Sequence, residues 1–214
     1  MSEPDSATTG WEQIYAANEP PPWDIGRPQP AFVRLADRGL LSGNVLDAGC
    51  GTGEHTLLAA RHGADAVGVD LAAAAIELAR AKAGARGLGA RFEVGDALNL
   101  SALRLRCDTI IDCGLFHVFD EADRTRYVAS LASALDPGGT CYLMCFSDRE
   151  PAEWVSRRVS QDELRAAFAD GWTVESITAE TVQVLPIDGY TEAQTWLAVI
   201  KNSAASASPL AGGG

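Results

Sequence analysis

The sequence predicts an α/β fold built on a doubly wound, mostly parallel sheet, and three observations carry that expectation. Short apolar runs alternate with helix-forming runs along most of the chain, the pattern of parallel strands joined by crossover helices. A glycine-rich turn, "DAGCGTG" at residues 47–53, stands directly between a strand-like and a helix-like segment. Finally, 214 residues with 47% hydrophobic and 21% charged side chains match one soluble domain with a sizeable core.

The elements follow in order. Residues 1–30 form a proline-rich arm: "EPPPWDIGRP" (19–28) fixes φ and lacks backbone donors, so it is neither an ordinary helix nor an interior strand. Phe32, Leu35 and Leu40 recur at helical spacing over 31–41, with Gly39 near the end. "NVLDAG" (44–49) is a short buried strand, and "EHTLLAARHG" (54–63) a helix stopped by Gly63. "DAVGVDL" (65–71) is the second strand, followed by the alanine-rich helix "AAAAIELARAKAGA" (72–85). "RFEVGDA" (91–97) is the third strand and "CDTIIDCG" (107–114) the fourth. A helix over 121–139 is closed by Pro137 and Gly138, and "TCYLMCFS" (140–147) is the fifth strand.

Residues 147–160 carry no clear period. Ser160 and Glu163 then form a capping-box pair that opens a helix over 160–170. "WTVESIT" (172–178) and "AQTWLAVIK" (193–201) read as strands, and the short connection holding "DGY" pairs them antiparallel. The count is seven strands over 31–202. The small, polar tail at 203–214 is expected to be disordered.

Composition excludes several functions. A formal net charge of −12 repels the phosphates of nucleic acid and the head groups of an anionic membrane. No run approaches a membrane span and residues 1–10 lack a leader pattern, so a cytoplasmic location is expected. The five cysteines lack metal or redox spacing and read as reduced structural thiols, and no metal site is read.

Gly49, Gly51 and Gly53 sit where a chain must turn tightly and approach a ligand, ahead of the free N–H groups of a helix. Asp70 ends the second strand 17 residues after Gly53, where an acid holds both hydroxyls of a ribose. Asp96 ends the third strand, within reach of an adenine edge. A nicotinamide dehydrogenase would use the same frame, but the spacing is G-x-G-x-G, and neither lysine of the chain, Lys82 or Lys201, follows a Tyr-x-x-x pattern. Asp47, two residues before the first glycine, would repel a pyrophosphate and attract an ammonium or sulfonium group.

After strand four comes "CGLFHVF" (113–119), facing the ligand crevice of a doubly wound sheet. Phe116 and Phe119 are expected to wall an acceptor pocket for a small aromatic or heterocyclic molecule. His117, with an unperturbed pKa near neutrality, is the general-base candidate.

In combination "VLDAGCGTG", "VGVDLA", "VGDAL" and "LDPGGTCYL" resemble the successive motifs of class I S-adenosylmethionine-dependent methyltransferases, over about residues 11–178. The resemblance implies a Rossmann-like sheet of order 3-2-1-4-5-7-6 with an antiparallel last strand and S-adenosylmethionine as cofactor. It also implies Asp70 on the ribose, Asp96 and Ala97 at the adenine edge and Leu71 on the adenine face. Gly49 to Gly53 and Cys113 would lie beside the methionine part. The arm resembles that of thiol and halide methyltransferases and, through "PPWDIGRPQP", more closely that of mycobacterial heterocyclic-toxin methyltransferases. There the segment covers the cofactor, which makes Trp11 and Trp23 candidate aromatic partners of the sulfonium and Trp23 a wall of the acceptor pocket.

The expected activity is methyl transfer to O, N or S of a small aromatic or heterocyclic, potentially toxic compound, a detoxifying reaction. A thiol or halide methyltransferase is the nearest alternative, and a non-catalytic S-adenosylmethionine sensor is the alternative of another class. The expected partner is a small-molecule acceptor, with no nucleic acid, no membrane and no obligate protein partner.

Overall fold

The computed structural model describes residues 6–153, 155, 157–187 and 189–203. The tail expected to be disordered lies, after Ser203, outside the described residues.

Seven strands form one sheet of order β3-β2-β1-β4-β5-β7-β6, the order the motifs implied. β1 (Asn44–Ala48), β2 (Asp65–Asp70), β3 (Arg91–Val94), β4 (Cys107–Cys113) and β5 (Leu135–Phe146) pair in parallel. β7 (Tyr190–Asn202) runs antiparallel to both β5 and β6 (Trp172–Ile187). The inner strands are buried on both faces, as a parallel sheet between helix layers requires. α2 (Pro30–Asp37) and α3 (Glu54–Arg61) cover one face, where Phe32, Leu35 and Leu58 meet Val45, Ile111 and Met144. α5 (Glu121–Ala134) and α6 (Gln161–Ala167) cover the other, packing Tyr127, Leu131 and Leu164 against Ile110, Cys141 and Trp196. α4 (Ala73–Arg86) seals the β2 and β3 side through Ile76 and Ala79.

Three boundaries depart from expectation. The arm holds a helix, α1 (Ser6–Ala16), which carries Trp11 and leans on α4. Its weak helix formers Thr8, Thr9 and Gly10 hide it in the sequence. α5 ends at Ala134, not at Pro137 and Gly138: β5 begins at Leu135 and absorbs that dipeptide at a register shift between Cys107 and Thr109 on β4. β6 and β7 also run well past the expected segments into a long hairpin that rises beyond the sheet edge, pairing Ile187 with Tyr190 at its tip.

The expected capping box is present, with Ser160 and Glu163 bonding each other's backbone N–H. All five thiols are free. No helix among the described residues is long and apolar enough to cross a membrane.

Candidate active site

A cleft of about 650 Å³ opens at the carboxyl ends of β1, β2, β4 and β5, between the glycine loop, the arm and the β6–β7 hairpin. The loop forms because Gly49 N and Cys50 N both donate to Val69 O on the neighbouring strand, at 2.8 and 3.0 Å. Gly51 then turns with φ of +51°, and a side chain there would stand 2.8 Å from the Tyr15 hydroxyl. Asp70 fastens the loop, accepting from Gly51 N at 2.8 Å and Ala72 N at 3.0 Å. Burial raises its pKa in spite of those bonds, and its oxygens retain lone pairs towards the cleft.

Gly49, Gly51, Asp70, Leu71, Asp96, Ala97 and Cys113 all line the cleft, as do Trp11 and Trp23. Asp96 is exposed and accepts from Leu98 N at 2.8 Å, which fixes the turn after β3. Two residues of the expected set lie elsewhere. Gly53 opens α3 with φ of +87°, facing Phe92 and Ala79, whose atoms would lie 2.7 to 2.9 Å from a side chain. Its absent Cβ serves helix packing. Asp47 is 1% exposed and outside the lining, with its carboxylate engaged by Thr56 N at 2.9 Å and Thr56 Oγ1 at 2.7 Å. It anchors the first turn of α3, and burial pushes its pKa up to about 7.

The arm is bolted at several points. Trp11 and Trp23 meet edge to face at 5.9 Å, and Trp23 Nε1 donates to the Tyr15 hydroxyl at 3.1 Å. Glu12 accepts from Ala74 N at the start of α4. Thr52 Oγ1 donates to Asp24 at 2.7 Å, Leu185 N donates to Pro22 O, and the Gln29 amide both donates to and accepts from the Gln183 backbone. Lys82, the one lysine near the loop, lies 2.6 Å from Thr52 Oγ1, 3.0 Å from Glu54 and 3.9 Å from Asp24. A polyphosphate entering here would meet the carboxylates of Asp24 and Asp70 beside a neutralised lysine. A nucleoside carrying a cationic sulfur meets acids and the rings of Trp11, Tyr15 and Trp23, so the residues fit that cofactor.

The segment after β4 is organised by Asp112, an acid that no sequence motif marks. Fully buried, it accepts from Leu115 N, Phe116 N and the Tyr127 hydroxyl at 2.8, 3.1 and 2.9 Å. Burial still pushes its pKa up to about 7. This grip sends consecutive side chains of one 3₁₀ turn in different directions. Phe116 enters the core against Phe168 and under Arg124, and does not wall the cleft as expected. His117 and Phe119 face it.

The expectation that His117 titrates near neutrality is also corrected. Its ring lies tilted at 45° against that of Phe146, 4.4 Å between centroids, and its Nδ1 accepts from Phe146 N at 3.4 Å. Burial, then the nearby charge of Arg124, lowers its pKa to about 4. The neutral ring therefore carries its proton on Nε2 and presents a donor, its basic nitrogen being occupied. Burial likewise pushes the Cys113 thiol well above its ordinary value, leaving it protonated. Beyond His117 the cleft is walled by Met144 and Phe146 from β5, Val182 and Val184 from β6, and Thr195 from β7. In the sequence Val182 and Val184 fall in the connection between the two expected strands, and Thr195 reads only as strand.

The sheet order, the acid at the end of β2 and the aromatic cover define a nucleoside-binding α/β transferase of the methyltransferase class. The comparisons agree. The family model for a methyltransferase domain matches residues 45–139. The chain is 39% identical over 170 residues to the 2-heptyl-1-hydroxyquinolin-4(1H)-one methyltransferase of Mycobacteroides abscessus, covering 78% of this chain and 74% of that one. It is 27% identical to the probable thiol methyltransferase 2 of Arabidopsis thaliana, over 92% and 87% of the two chains. A solved structure described for the conversion of a disulfide bond into a thioacetal group during echinomycin biosynthesis superposes with a TM-score of 0.86 at 39% identity, covering 94% and 95%. A methyltransferase of Anabaena variabilis shares the fold, with a TM-score of 0.71 at 19% identity over 94% and 98%. The chain belongs to the S-adenosylmethionine-dependent methyltransferases, in their small-molecule branch.

Proposed function

We propose that the protein methylates the ionised oxygen of a small, flat heterocycle, using S-adenosylmethionine, with N and S acceptors as the alternatives. The observation that carries this reading is the composition of the far end of the cleft. Its walls from β5 and β6, Met144, Phe146, Val182 and Val184, are apolar, β7 adds Thr195, and the ring of His117 enters it as a neutral hydrogen-bond donor. Such a chamber fits an aromatic body, and a donor fits an acceptor that arrives already deprotonated. The similarity to a hydroxyquinolone methyltransferase supports the same chemistry, because an N-hydroxyl ionises readily. A toxic heterocycle neutralised in the cytoplasm is the setting we infer.

In this reading Asp70 holds the ribose, Asp96 and Leu98 border the base, and Gly49 to Thr52 border the amino-acid part. When bound, the cofactor supplies a methyl group on a cationic sulfur. An acceptor already ionised would take that methyl group with its negative charge cancelling the positive charge of the sulfur, so that no residue would need to remove a proton. Phe119, Phe146 and Val184 exclude water and align the ring, and orientation of this kind supplies up to roughly 7–11 kcal/mol. His117 Nε2–H steadies the oxyanion without removing a proton.

Product mass after incubation with S-adenosylmethionine and a panel of 1-hydroxyquinolin-4(1H)-one, phenols, thiols and iodide tests this. Methylated hydroxyquinolone is the expected product. Methylation of thiols or iodide alone would replace the reading by the thiol and halide alternative. Binding of S-adenosylhomocysteine without turnover of any acceptor would leave a sensor.

A further inference from the structure

The cleft is acidic where the glycine loop meets the arm, with Asp24, Asp70 and Asp96 among its walls. Arg27, Arg126 and Arg157 line it as well, and the last two are engaged: Arg126 holds Asp123 at 2.8 Å and Arg157 donates to Val118 O. Lys82, close to the loop, is taken by Thr52 and Glu54. Arg27 differs from all of these. Among the described residues it makes no hydrogen bond, ion pair or ring contact, although the chain on either side of it is tied down. Before it, Asp24 accepts from Thr52 Oγ1 at 2.7 Å and Gly26 turns with φ of +69°. After it, Gln29 N donates to His55 Nε2 at 3.1 Å. Arg27 therefore crosses from the glycine loop to the first turn of α3 on a stretch held at both ends, and its exposed side chain is free to meet a ligand.

His55 adds a second donor at the start of α3. Burial, in spite of the nearby charge of Glu54, lowers its pKa to about 4, so the ring is neutral; with Nε2 occupied by Gln29 N, the proton rests on Nδ1. That atom has no partner among the described residues and, unlike Arg124 Nε and Thr195 Oγ1, is not sealed from the cleft that His55 lines. A cation and an uncharged donor thus stand unpartnered in a region otherwise set with acids. S-adenosylmethionine carries a single anionic group, the carboxylate of its methionine part. Asp24 and Asp70 repel that group and attract the ammonium beside it, so the carboxylate requires a cation of its own. A guanidinium matches it with two parallel N–H bonds, and the ionised oxygen of the proposed acceptor already has a donor in His117. We propose that Arg27 binds the carboxylate of the cofactor's methionine part, in the corner that His55 also lines. This rests on the placement of that part along Gly49 to Thr52 in the reading above, and it gives the arm a direct hold on the methyl donor.

Titration calorimetry with three ligands tests it: S-adenosylhomocysteine, S-adenosyl-3-thiopropylamine, which lacks only the carboxylate, and 5′-methylthioadenosine, which lacks the whole amino-acid part. Arg27→Gln keeps most of the stem and removes the charge. It should weaken S-adenosylhomocysteine about tenfold, the worth of one charge-assisted contact at an open site, and leave the other two ligands within about twofold. Arg27→Lys should restore part of the loss. Retained binding of the two truncated ligands shows that the variant is folded. An unchanged affinity for S-adenosylhomocysteine overturns the assignment, and a raised KM for 1-hydroxyquinolin-4(1H)-one in that same case gives the cation to an anionic acceptor instead. An equal loss for all three ligands overturns it too, because Arg27 would then act only through the arm. Wild-type protein that binds 5′-methylthioadenosine as tightly as S-adenosylhomocysteine overturns the placement of the methionine part and this assignment with it. Failure to methylate the quinolone, with the calorimetric pattern as expected, overturns the proposed acceptor alone.

Discussion

Replacing Trp23 by alanine separates two roles of the arm. Trp23 is 44% exposed, lines the cleft, and contacts Trp11 at 5.9 Å and the Tyr15 hydroxyl at 3.1 Å. The edge-to-face pair is worth about 0.5–1.5 kcal/mol, and the exposed hydrogen bond stands at the low end of about 0.5–1.5 kcal/mol. Those contacts exist within the protein, so they enter the cofactor's affinity only if the arm docks as the cofactor binds. The bonds of Asp24, Pro22 and Gln29 to Thr52, Leu185 and Gln183 hold the arm in place without it. What then remains is the ring's attraction for a sulfonium, about 0.5–2 kcal/mol, or roughly a 2- to 30-fold weaker dissociation constant.

Titration calorimetry with two ligands isolates that contribution. S-adenosylmethionine carries the positive sulfur and S-adenosylhomocysteine does not, so Trp23→Ala should weaken the first by the factor above and the second by much less. An equal loss for both would mean that the ring acts through shape or through arm docking. Unchanged affinity for both, with unchanged turnover, would refute the contact and leave the segment a linker.

Three further outcomes follow from the same geometry. Because the His117 ring stays neutral down to about pH 4, kcat/KM between pH 6 and 9 should follow the acceptor's own ionisation; two acceptors of different acidity should give two displaced profiles, and a common inflection near 6.5 would restore a general-base histidine. The same lowered value means that the unfolded chain binds a proton the folded one refuses between pH 6.5 and 4, so this residue's contribution is fully present above 6.5 and lost as the pH falls. In urea unfolding, the stability of wild type relative to His117→Gln should accordingly drop between pH 7 and 4.5, by up to about 3 kcal/mol. Gly53→Ala, strained at φ of +87° and driven into Phe92 and Ala79, should cost several kcal/mol of stability, in the range of overpacked cores plus backbone strain. Gly51→Ala, which meets the end of the Tyr15 side chain, should instead be read mainly as weaker S-adenosylhomocysteine binding.

What the sequence made legible was whatever depends on residues close together in the chain. The strand, glycine turn and helix around residues 44–61 announce themselves, and Asp70 ends β2 as expected, whereas β3 stops at Val94 and Asp96 caps the 3₁₀ turn that follows it. The site residues that moved did so for reasons set at a distance. Asp47 is claimed by Thr56, nine positions on in the next helix. Phe116 and His117 are adjacent, and which of them faces the cleft is decided by the hold of Asp112 and Tyr127 on the turn. The character of His117 depends on Phe146, 29 positions away on another strand. No local pattern encodes these, and none marks the hairpin walls Val182, Val184 and Thr195.

The arm resolves along the same lines. Its prolines remove donors over residues 20–22, yet Pro22 O accepts from Leu185 N and the Gln29 amide clasps Gln183 from both sides. Asp24 reaches Thr52 in the glycine loop. The proline-rich segment thus ties the glycine loop to the β6–β7 hairpin, with Trp23 between them. A brace tied at both ends fixes the two halves of the cleft relative to one another, and on the proposed function such preorganisation would lower the ordering cost of binding. It also separates what can vary. On the proposed function, changes at positions 182, 184 and 195 would alter the acceptor end of the cleft while Gly51 and Asp70 at the other end keep their bond.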